Sequence, residues 1–262
     1  MMMRVRAKKY LGQHFLNNLG IAQRIVDSLQ TPPAQVIEVG PGMGVLTRFL
    51  IERTDVDLHL VEIDTESVEY LNHHYPQLRD RLIEKDFLKL DLSQLFNGPF
   101  SIIGNFPYNI SSQIFFKAYD NRHQVQSLVG MVQREVGQRI ASGPGSKEYG
   151  ILSVLLQSYF TVEYLFTVDE HVFIPPPKVK SGVIRLTRNN TQQLPCNEKL
   201  FLKVVKAAFN QRRKTLRNSL SKLPFNLQAI KHLPVFNLRP EQLSVTAFHE
   251  LTSLIEAHPL CE

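Results

Sequence analysis

The sequence predicts an α/β fold: an open sheet wound like a nucleotide-binding domain, followed by a small all-helical C-terminal domain. Three observations carry this. Short apolar runs of strand length alternate with stretches of helical period. One early strand runs straight into the glycine-rich turn Gly40-Pro41-Gly42-Met43-Gly44 and then a helix, which is half of a βαβ unit. Past the polar, proline-containing stretch Asn189 to Asn197, the pattern becomes helical throughout and opens on a run of basic residues. The expected boundaries are therefore 1–190, including an N-terminal arm over 1–18, and 191–262.

Composition narrows the class. The 262 residues are 43% hydrophobic and 21% charged, an ordinary globular balance with ample core. No run reaches the roughly 18 apolar residues of a membrane span, and the basic start lacks the apolar stretch of a secretory signal, so a cytoplasmic protein is expected. Cys196 and Cys261 have no metal-ligand spacing, so neither a disulfide nor a metal centre is expected, and His73-His74 reads as a solvated helix end. The net charge of +6 is unevenly spread. Arg4, Arg6, Lys8, Lys9 and Arg24 precede any acid, and Lys199 to Lys222 holds eight more basic residues and no acid. The remaining chain is net negative. Two basic patches on an acidic body suit a polyanion held at defined places, although either patch alone also suits a solvated helix face.

Taken in order, Arg6 to Asn17 reads as an ordered arm anchored by Tyr10, Phe15 and Leu16. A helix over Leu19 to Leu29 ends at Pro32-Pro33. Val36 to Val39 is a strand, and Val45 to Glu52 is the helix after the glycine turn. The spacing Gly-x-Gly-x-Gly departs from the dinucleotide fingerprint at Val45, and Pro41 removes a donor that a pyrophosphate needs. With Glu38 two residues ahead of Gly40, the loop better fits a cofactor with an amino-acid end, S-adenosylmethionine; a tight structural turn is the plainer alternative. Asp57 to Ile63 is the next strand, placing Glu62 18 residues after Gly44, where an acid can accept ribose hydroxyls. Arg81 to Lys85 leads to Asp86, an acceptor for an adenine amine, and to Phe87, which packs on the ring.

The chain is organised around the next strand, Phe100 to Ile103, and the turn Asn105-Phe106-Pro107-Tyr108 at its carboxyl end, where open sheets bind ligands. Asn105 can accept one hydrogen of an exocyclic amine, the carbonyl of Phe106 a second, and Tyr108 can stack on the base. The same four residues also suit a turn with a buried tyrosine. Ser111 or Ser112 can cap the helix that continues through Ile114 to Tyr119. A strand over Ser127 to Val132, a helix over Gln133 to Ala141, a loop of mobile composition over Ser142 to Tyr149, a helix over Ile151 to Gln157 and a strand over Tyr159 to Val168 follow. The stiff Pro175-Pro176-Pro177 segment can fix Phe173 beside Tyr108 as the second side of a base clamp, unless Phe173 is ordinary core. Val183 to Leu186 is the last strand.

These residues resemble the small-subunit ribosomal RNA adenine dimethyltransferases along nearly the whole chain. The resemblance rests on KKYLGQHFL from Lys8, EVGPGMG from Glu38, VEID from Val61, NFPYNIS from Asn105, PGSKEYG from Pro144, FIPPPKVKSGVIRL from Phe173 and AAFNQRRKTLRNSL from Ala207. It implies a class I S-adenosylmethionine-dependent methyltransferase, Rossmann-like, with a seven-stranded sheet whose last strand is antiparallel. It implies dimethylation at N6 of two adjacent adenosines in the 3′-terminal hairpin loop of 16S rRNA, within a small-subunit precursor. Asn105, Phe106, Pro107, Tyr108 and Phe173 are the catalytic candidates. His14, Leu16, Gly40, Gly42, Gly44, Glu62, Ile63, Asp86, Phe87 and Asn105 are the cofactor candidates, and Arg212, Arg213, Lys214 and Arg217 the RNA candidates. The family usually carries Asn at position 14 and Leu at position 106; a backbone contact survives the first change, and the second is expected to enlarge the apolar wall of the site. A monomer is expected. The alternatives are a 23S rRNA adenine methyltransferase of the macrolide-resistance type, a DNA adenine methyltransferase, and an assembly factor whose binding matters more than its methylation.

Overall fold

The structure is a computed structural model that describes residues 5–29 and 35–260. Arg4, Pro32-Pro33 and Cys261 lie outside the described residues. The chain forms two compact units, one running to Gln138 and resuming over Thr161–Arg188, the other made of Arg139–Phe160 and the chain from Asn189. Residues 139–160, assigned by sequence to the first domain, thus group with the helical C-terminal segment.

The first unit holds nine strands: β1 (Phe15–Leu16), β2 (Gln35–Val39), β3 (Asp57–Glu62), β4 (Leu82–Glu84), β5 (Phe100–Asn105), β6 (Val125–Gln133), β7 (Phe160–Val168), β8 (Phe173–Ile174) and β9 (Ser181–Arg188). Seven of them form one sheet in the order β4-β3-β2-β5-β6-β9-β7. The pairings among β2 to β6 are parallel, and β9 runs antiparallel to β6. β2 and β5 are buried along almost their full length, which is why they read as continuous apolar runs rather than alternating ones. The helices of this part are α1 (Leu19–Asp27), α2 (Thr47–Leu50), α3 (Thr65–His74), α4 (Leu92–Leu95) and α5 (Ser111–Asp120), followed by α6 (Arg134–Ala141). Asn18 caps α1 by accepting from the Ile21 amide, and Ala22, Ile25 and Val26 turn to the core.

Two local expectations change. The helix after the glycine turn is only α2, because Gly40, Gly42 and Gly44 all have positive φ (67°, 56° and 74°) and keep the chain in turns through Leu46. Helix α5 begins after Ile110 without a side-chain cap; Ser111 is its first residue, and its hydroxyl donates to the Tyr108 carbonyl at 3.2 Å.

The pairing absent from the sequence reading joins the arm to the proline-rich segment. β1 and β8 form a two-stranded antiparallel sheet, with Phe15 opposite Ile174 and Leu16 opposite Phe173.

The second unit comprises α7 (Ile151–Gln157), α8 (Glu198–Asn210), α9 (Leu216–Ser219), α10 (Leu227–Ile230) and α11 (Val245–Glu256). Phe201, Val204, Val205 and Ala208 of α8 and Phe248, Leu251 and Ile255 of α11 are buried, and the rings of Phe209 and Phe248 lie 5.7 Å apart. The 142–149 loop is tied into this unit: Gly145 N–H donates to the Glu241 carbonyl at 2.6 Å, Arg212 Nη2 donates to the Ser146 carbonyl at 3.0 Å, and Tyr149 is fully buried.

Candidate active site

The carboxyl ends of β2, β3, β4 and β5 and the arm line one cavity, built from Gly40, Gly42, Glu62, Ile63, Asp86, Phe87 and the Asn105–Ile110 turn under residues 11–15. The crossover at the end of a parallel sheet opens a crevice there, so the strand-end residues converge without contacting one another along the chain.

On the glycine-loop side of the cavity, Glu62 is almost fully buried. Its Oε2 accepts from the Gly42 amide at 3.0 Å, and its Oε1 accepts from the amides of Ile63 and Asp64 at 2.9 and 3.0 Å. Three of a carboxylate's roughly four lone-pair sites are therefore occupied, leaving room on Oε2 for one ribose hydroxyl rather than two. Burial pushes the Glu62 carboxyl above the usual range, against the pull of those amides. Asp86 accepts from the Leu88 amide at 2.9 Å and turns the chain so that Phe87 packs beneath the cavity. Ile63 is half exposed on its rim.

Gly40 and Gly42 line the cavity, and Gly44 does not. A Cβ at Gly44 would lie 2.6 Å from the Tyr75 ring, whose hydroxyl donates to the Gly44 carbonyl at 3.1 Å. The third glycine packs against Tyr75 behind the loop. A Cβ at Gly42 would meet Phe15 at 2.8 Å, so that glycine lets the arm approach.

Glu38 lies behind the glycine loop on a smaller recess that shares Phe15, Gly40 and Asn105 with the main cavity. Thr47 Oγ1 donates to its Oε2 at 2.7 Å. Burial, reinforced by the Glu62 carboxylate, raises its pKa to about 8. A carboxyl raised in the folded state stabilises the fold fully below its ordinary value of 4.5, and that contribution is lost as the pH climbs through 8. Glu38→Gln should accordingly match the parent in urea midpoint near pH 5 and exceed it increasingly up to about pH 9 in cofactor-free protein. A difference that stays flat with pH would refute the assignment.

The target side is set by the Asn105–Tyr108 turn. Asn105 Nδ2 donates to the His14 carbonyl at 2.8 Å. A carbonyl only accepts, so the amide is oriented and Oδ1 remains as an acceptor. Pro107 packs 3.8 Å from where a Cβ on Gly40 would lie, bringing the turn against the glycine loop. The Tyr108 hydroxyl is tied to Ser181 Oγ at 2.5 Å, which leaves the ring face rather than the hydroxyl for a ligand. Burial raises its pKa, keeping it a neutral phenol.

Two aromatic residues stand elsewhere than expected. Phe173 is 2% exposed, packed in the core with Leu16, Ile25 and Val183, and outside the cavity lining; its exposed neighbour is Ile174. The strict alternation of β8 opposite β1 turns Phe173 inward. The ring beside Tyr108 is that of His14, with centroids 5.3 Å apart and planes tilted by 31°. Phe106 is 1% exposed; it belongs to the cavity lining, and its ring packs into the sheet core. It occupies space left by two glycines: a Cβ on Gly130 would come within 2.4 Å of the ring and one on Gly104 within 2.8 Å. Gly130→Ala should cost about 1 to 3 kcal/mol of stability by overpacking, and Phe106→Leu in the same chain should recover most of it, giving a clear coupling energy in a double-mutant cycle of urea unfolding.

The arm is pinned from both ends. Lys8 Nζ bonds Asp64, Gln13 Nε2 reaches the other Asp64 oxygen at 3.4 Å, and Asn109 Oδ1 packs against Gly12, which has a φ of 66°. Burial opposes ionisation of Asp64, but the Lys8 ammonium, with Ser67 and Gln13, outweighs it and holds the carboxyl below its usual range. Leu16 sits in the core and touches only the smaller recess. The cavity also takes in residues not singled out in the sequence: Gln13 from the arm, Lys85 ahead of Asp86, and Asn109 and Ile110 at the end of the turn after β5.

The basic candidates divide. Arg212 donates to the Ser146 carbonyl, and Arg217 donates to the Lys231 carbonyl at 3.1 Å and to Asn237 Oδ1 at 2.9 Å. The side chains of Arg213 and Lys214 are exposed and make no ion pair among the described residues. In the arm, Lys8 is engaged by Asp64, while Arg24 in α1 lies over the Phe166 ring at 3.7 Å.

These residues fit S-adenosylmethionine: an open lone pair on buried Glu62, Asp86 and Phe87 at the next strand end, and a glycine loop that packs closely against the Asn105 turn. Comparison with known proteins agrees. The family described as ribosomal RNA adenine dimethylase matches residues 4–251. The chain is 59% identical over 255 residues to a ribosomal RNA small subunit methyltransferase A of Parabacteroides distasonis, covering 97% of this chain and 96% of the relative. Among solved structures it is similar to a dimethyladenosine transferase from Plasmodium falciparum, with a TM-score of 0.77, 23% identity and coverage of 94% and 100%. It is also similar in fold to the 23S rRNA methyltransferase ErmE, with a TM-score of 0.67, 24% identity and coverage of 91% and 99%.

Proposed function

This chain belongs to the ribosomal RNA adenine dimethylase family, and from that premise we propose that it dimethylates N6 of two adjacent adenosines in the 3′-terminal hairpin loop of small-subunit rRNA. It is an S-adenosylmethionine-dependent rRNA adenine dimethyltransferase with a class I methyltransferase fold. The observation that best supports the finer reading is the orientation of Asn105, whose amide nitrogen is held by the His14 carbonyl so that Oδ1 is left to accept.

S-adenosylmethionine, when bound, supplies an electrophilic methyl group on a sulfonium. The protein's part is orientation. Adenine N6 is a poor nucleophile because its lone pair is delocalised into the ring. Asn105 Oδ1 and the Phe106 carbonyl, which accepts no backbone hydrogen bond among the described residues, would each take one N6 hydrogen. Held so, the nitrogen becomes pyramidal and its lone pair is directed out of the ring plane. The Tyr108 face would stack on the base, a contact that typically contributes about 1 to 3 kcal/mol. The methylated nitrogen is acidic and can release its proton to these acceptors or to water, so no strong base is needed.

The target must be unpaired or flipped out, which suits an RNA loop. Arg213 and Lys214 are the phosphate contacts in the helical unit, and the protein acts as a monomer in the cytoplasm; no helix among the described residues is long and apolar enough to cross a membrane. Reversing both charges should weaken binding to small-subunit RNA at least tenfold at low salt and flatten its salt dependence by about two phosphate contacts. The same change at Arg212 should instead lower the melting temperature, through the lost Ser146 bond.

The deciding experiment is transfer of labelled methyl groups to small subunits from cells lacking this activity, with modified positions mapped by primer extension. Stops at the paired hairpin adenosines support the reading. No transfer to small subunits despite measured cofactor binding, with labelling instead of large subunits offered in a parallel reaction, would overturn it.

A further inference from the structure

We propose that Lys117 of α5 is a positioning residue for the cofactor's adenine, its ammonium fixing the turn after β4 so that Asp86 is aimed at the exocyclic amine. This rests on the reading of Asp86 and Phe87 as the adenine end of the S-adenosylmethionine site. Lys117 lies in the last turn of α5, half-buried and outside the cavity lining. Its Nζ donates to the Leu88 carbonyl at 3.0 Å and to the Leu90 carbonyl at 2.5 Å, and it stands over the Phe87 ring, 5.6 Å from the centroid. Neither carbonyl accepts a backbone hydrogen bond among the described residues. Two of the three ammonium donors are thus spent on one short piece of main chain, and its charge is felt by the carboxylates of Asp86, Asp91 and Asp120.

That piece of chain carries the candidate adenine contacts. Phe87–Lys89 is a single 3-10 turn, closed by the Lys89 amide on the Asp86 carbonyl and the Leu90 amide on the Phe87 carbonyl. Asp86 Oδ1 accepts from the Leu88 amide at 2.9 Å, and Oδ2 has no hydrogen-bond partner among the described residues. The carboxylate therefore grips the entry of the turn while Lys117 grips its exit, and the free oxygen can rotate only if the whole turn does. Direction matters here, because a hydrogen bond weakens steeply once its angle falls towards 120°. Helix α5 adds a second consequence. It begins at the target turn, where Ser111 donates to the Tyr108 carbonyl, and it ends on the turn of Asp86. One helix thus anchors both the target turn and the adenine turn.

The test is calorimetric titration of the full chain with two ligands, S-adenosylhomocysteine and S-inosylhomocysteine, which differ in carrying an amine or a carbonyl at the purine 6-position. A carboxylate oxygen accepts from the first and repels the second, so the parent should prefer the adenosyl ligand by at least about 30-fold. In Lys117→Met, which keeps the stem and loses the donors, we expect the adenosyl ligand to bind about tenfold more weakly and the inosyl ligand to change less than about twofold, so the preference collapses. Both ligands are read on the same folded protein, so lost stability cancels in the ratio. Lys117→Arg keeps the charge and its donors and should hold the preference within about threefold of the parent. Lys117→Gln, whose amide can still serve one carbonyl, is read in the same way should the methionine variant not fold. A parental preference in the methionine or glutamine variant, equal weakening of both ligands, or an arginine variant as indiscriminate as methionine would each overturn the role. Asp86→Asn separates the two layers, since its amide can donate to the inosyl carbonyl and should itself erase the preference. If the parent shows no preference, or Asp86→Asn retains it, the adenine reading of Asp86 falls and the inference with it. If Asp86 sets the preference and the Lys117 variants leave it untouched, the inference alone fails.

Discussion

Asn105→Ala is expected to reduce single-turnover methyl transfer by about 10² to 10³, the scale on which removing one preorganised polar group at a reacting centre acts. The side chain does two things. Its Nδ2 ties the His14 carbonyl, and its oriented Oδ1 is the acceptor that would hold one N6 hydrogen. Alanine removes both, while the strand beneath remains paired to β6 through Asn105 and Gly104. The variant should therefore fold, with a melting temperature within a few degrees of the parent. Asn105→Asp is the sharper control: a carboxylate oxygen would face the His14 carbonyl, so it should be as inactive as alanine despite its near-identical shape. Quench-flow with labelled cofactor at saturating small subunits would read both. Retention of more than a tenth of the parental rate in Asn105→Ala would remove this residue from the chemistry.

The second large effect is on cofactor binding. Glu62 collects the amides of Gly42, Ile63 and Asp64, so it shapes the glycine loop as well as offering an acceptor of its own. Glu62→Ala leaves these three donors without their partner in a buried place, at roughly 1 to 3 kcal/mol for each one that water fails to reach. We expect the dissociation constant for S-adenosylmethionine to rise at least about 100-fold and the unfolding midpoint to fall together with it. Glu62→Gln keeps the volume but sets an N–H₂ group against either the Gly42 amide or the Ile63 and Asp64 pair, and should fall between. Calorimetric titration and urea unfolding of the three proteins give the order. An alanine variant that binds cofactor like the parent would show that the acid serves the loop's geometry alone.

Much of the site was legible because its residues lie at strand ends, and strand ends can be read locally. Glu62, Asp86 and Asn105 each follow a short apolar run, and a parallel sheet brings such positions to one edge whatever the details of packing. The glycine loop was legible for a related reason, since successive positive φ values at Gly40, Gly42 and Gly44 suit only that residue. Local reading could not see contacts made at a distance. Gly44 sits in the glycine loop by sequence, and its packing partner is Tyr75, 31 residues away. The basic run at 212–217 reads as one patch, and the fold ties Arg212 to the Ser146 carbonyl and Arg217, still exposed, to the Lys231 carbonyl and Asn237, while Arg213 and Lys214 face solvent.

By itself the sequence determined the α/β class, the order of the strands along the chain, the loop suited to S-adenosylmethionine and the Asn105-Phe106-Pro107-Tyr108 turn. Each depends on hydrophobic period, turn chemistry or donor and acceptor type within a few residues. Only the tertiary structure decided which rings enter the core. Phe173 turns inward because β8 pairs with β1 in a register that sets it opposite Leu16, and Phe106 turns inward because Gly130, from the neighbouring strand, leaves room for its ring. His14 is left beside Tyr108 by the same pairing, 94 residues apart in the chain. A strand's register exchanges every inward side chain for an outward one when it slips by one residue, and that register is set by partners more than a hundred residues distant, beyond the reach of any local pattern.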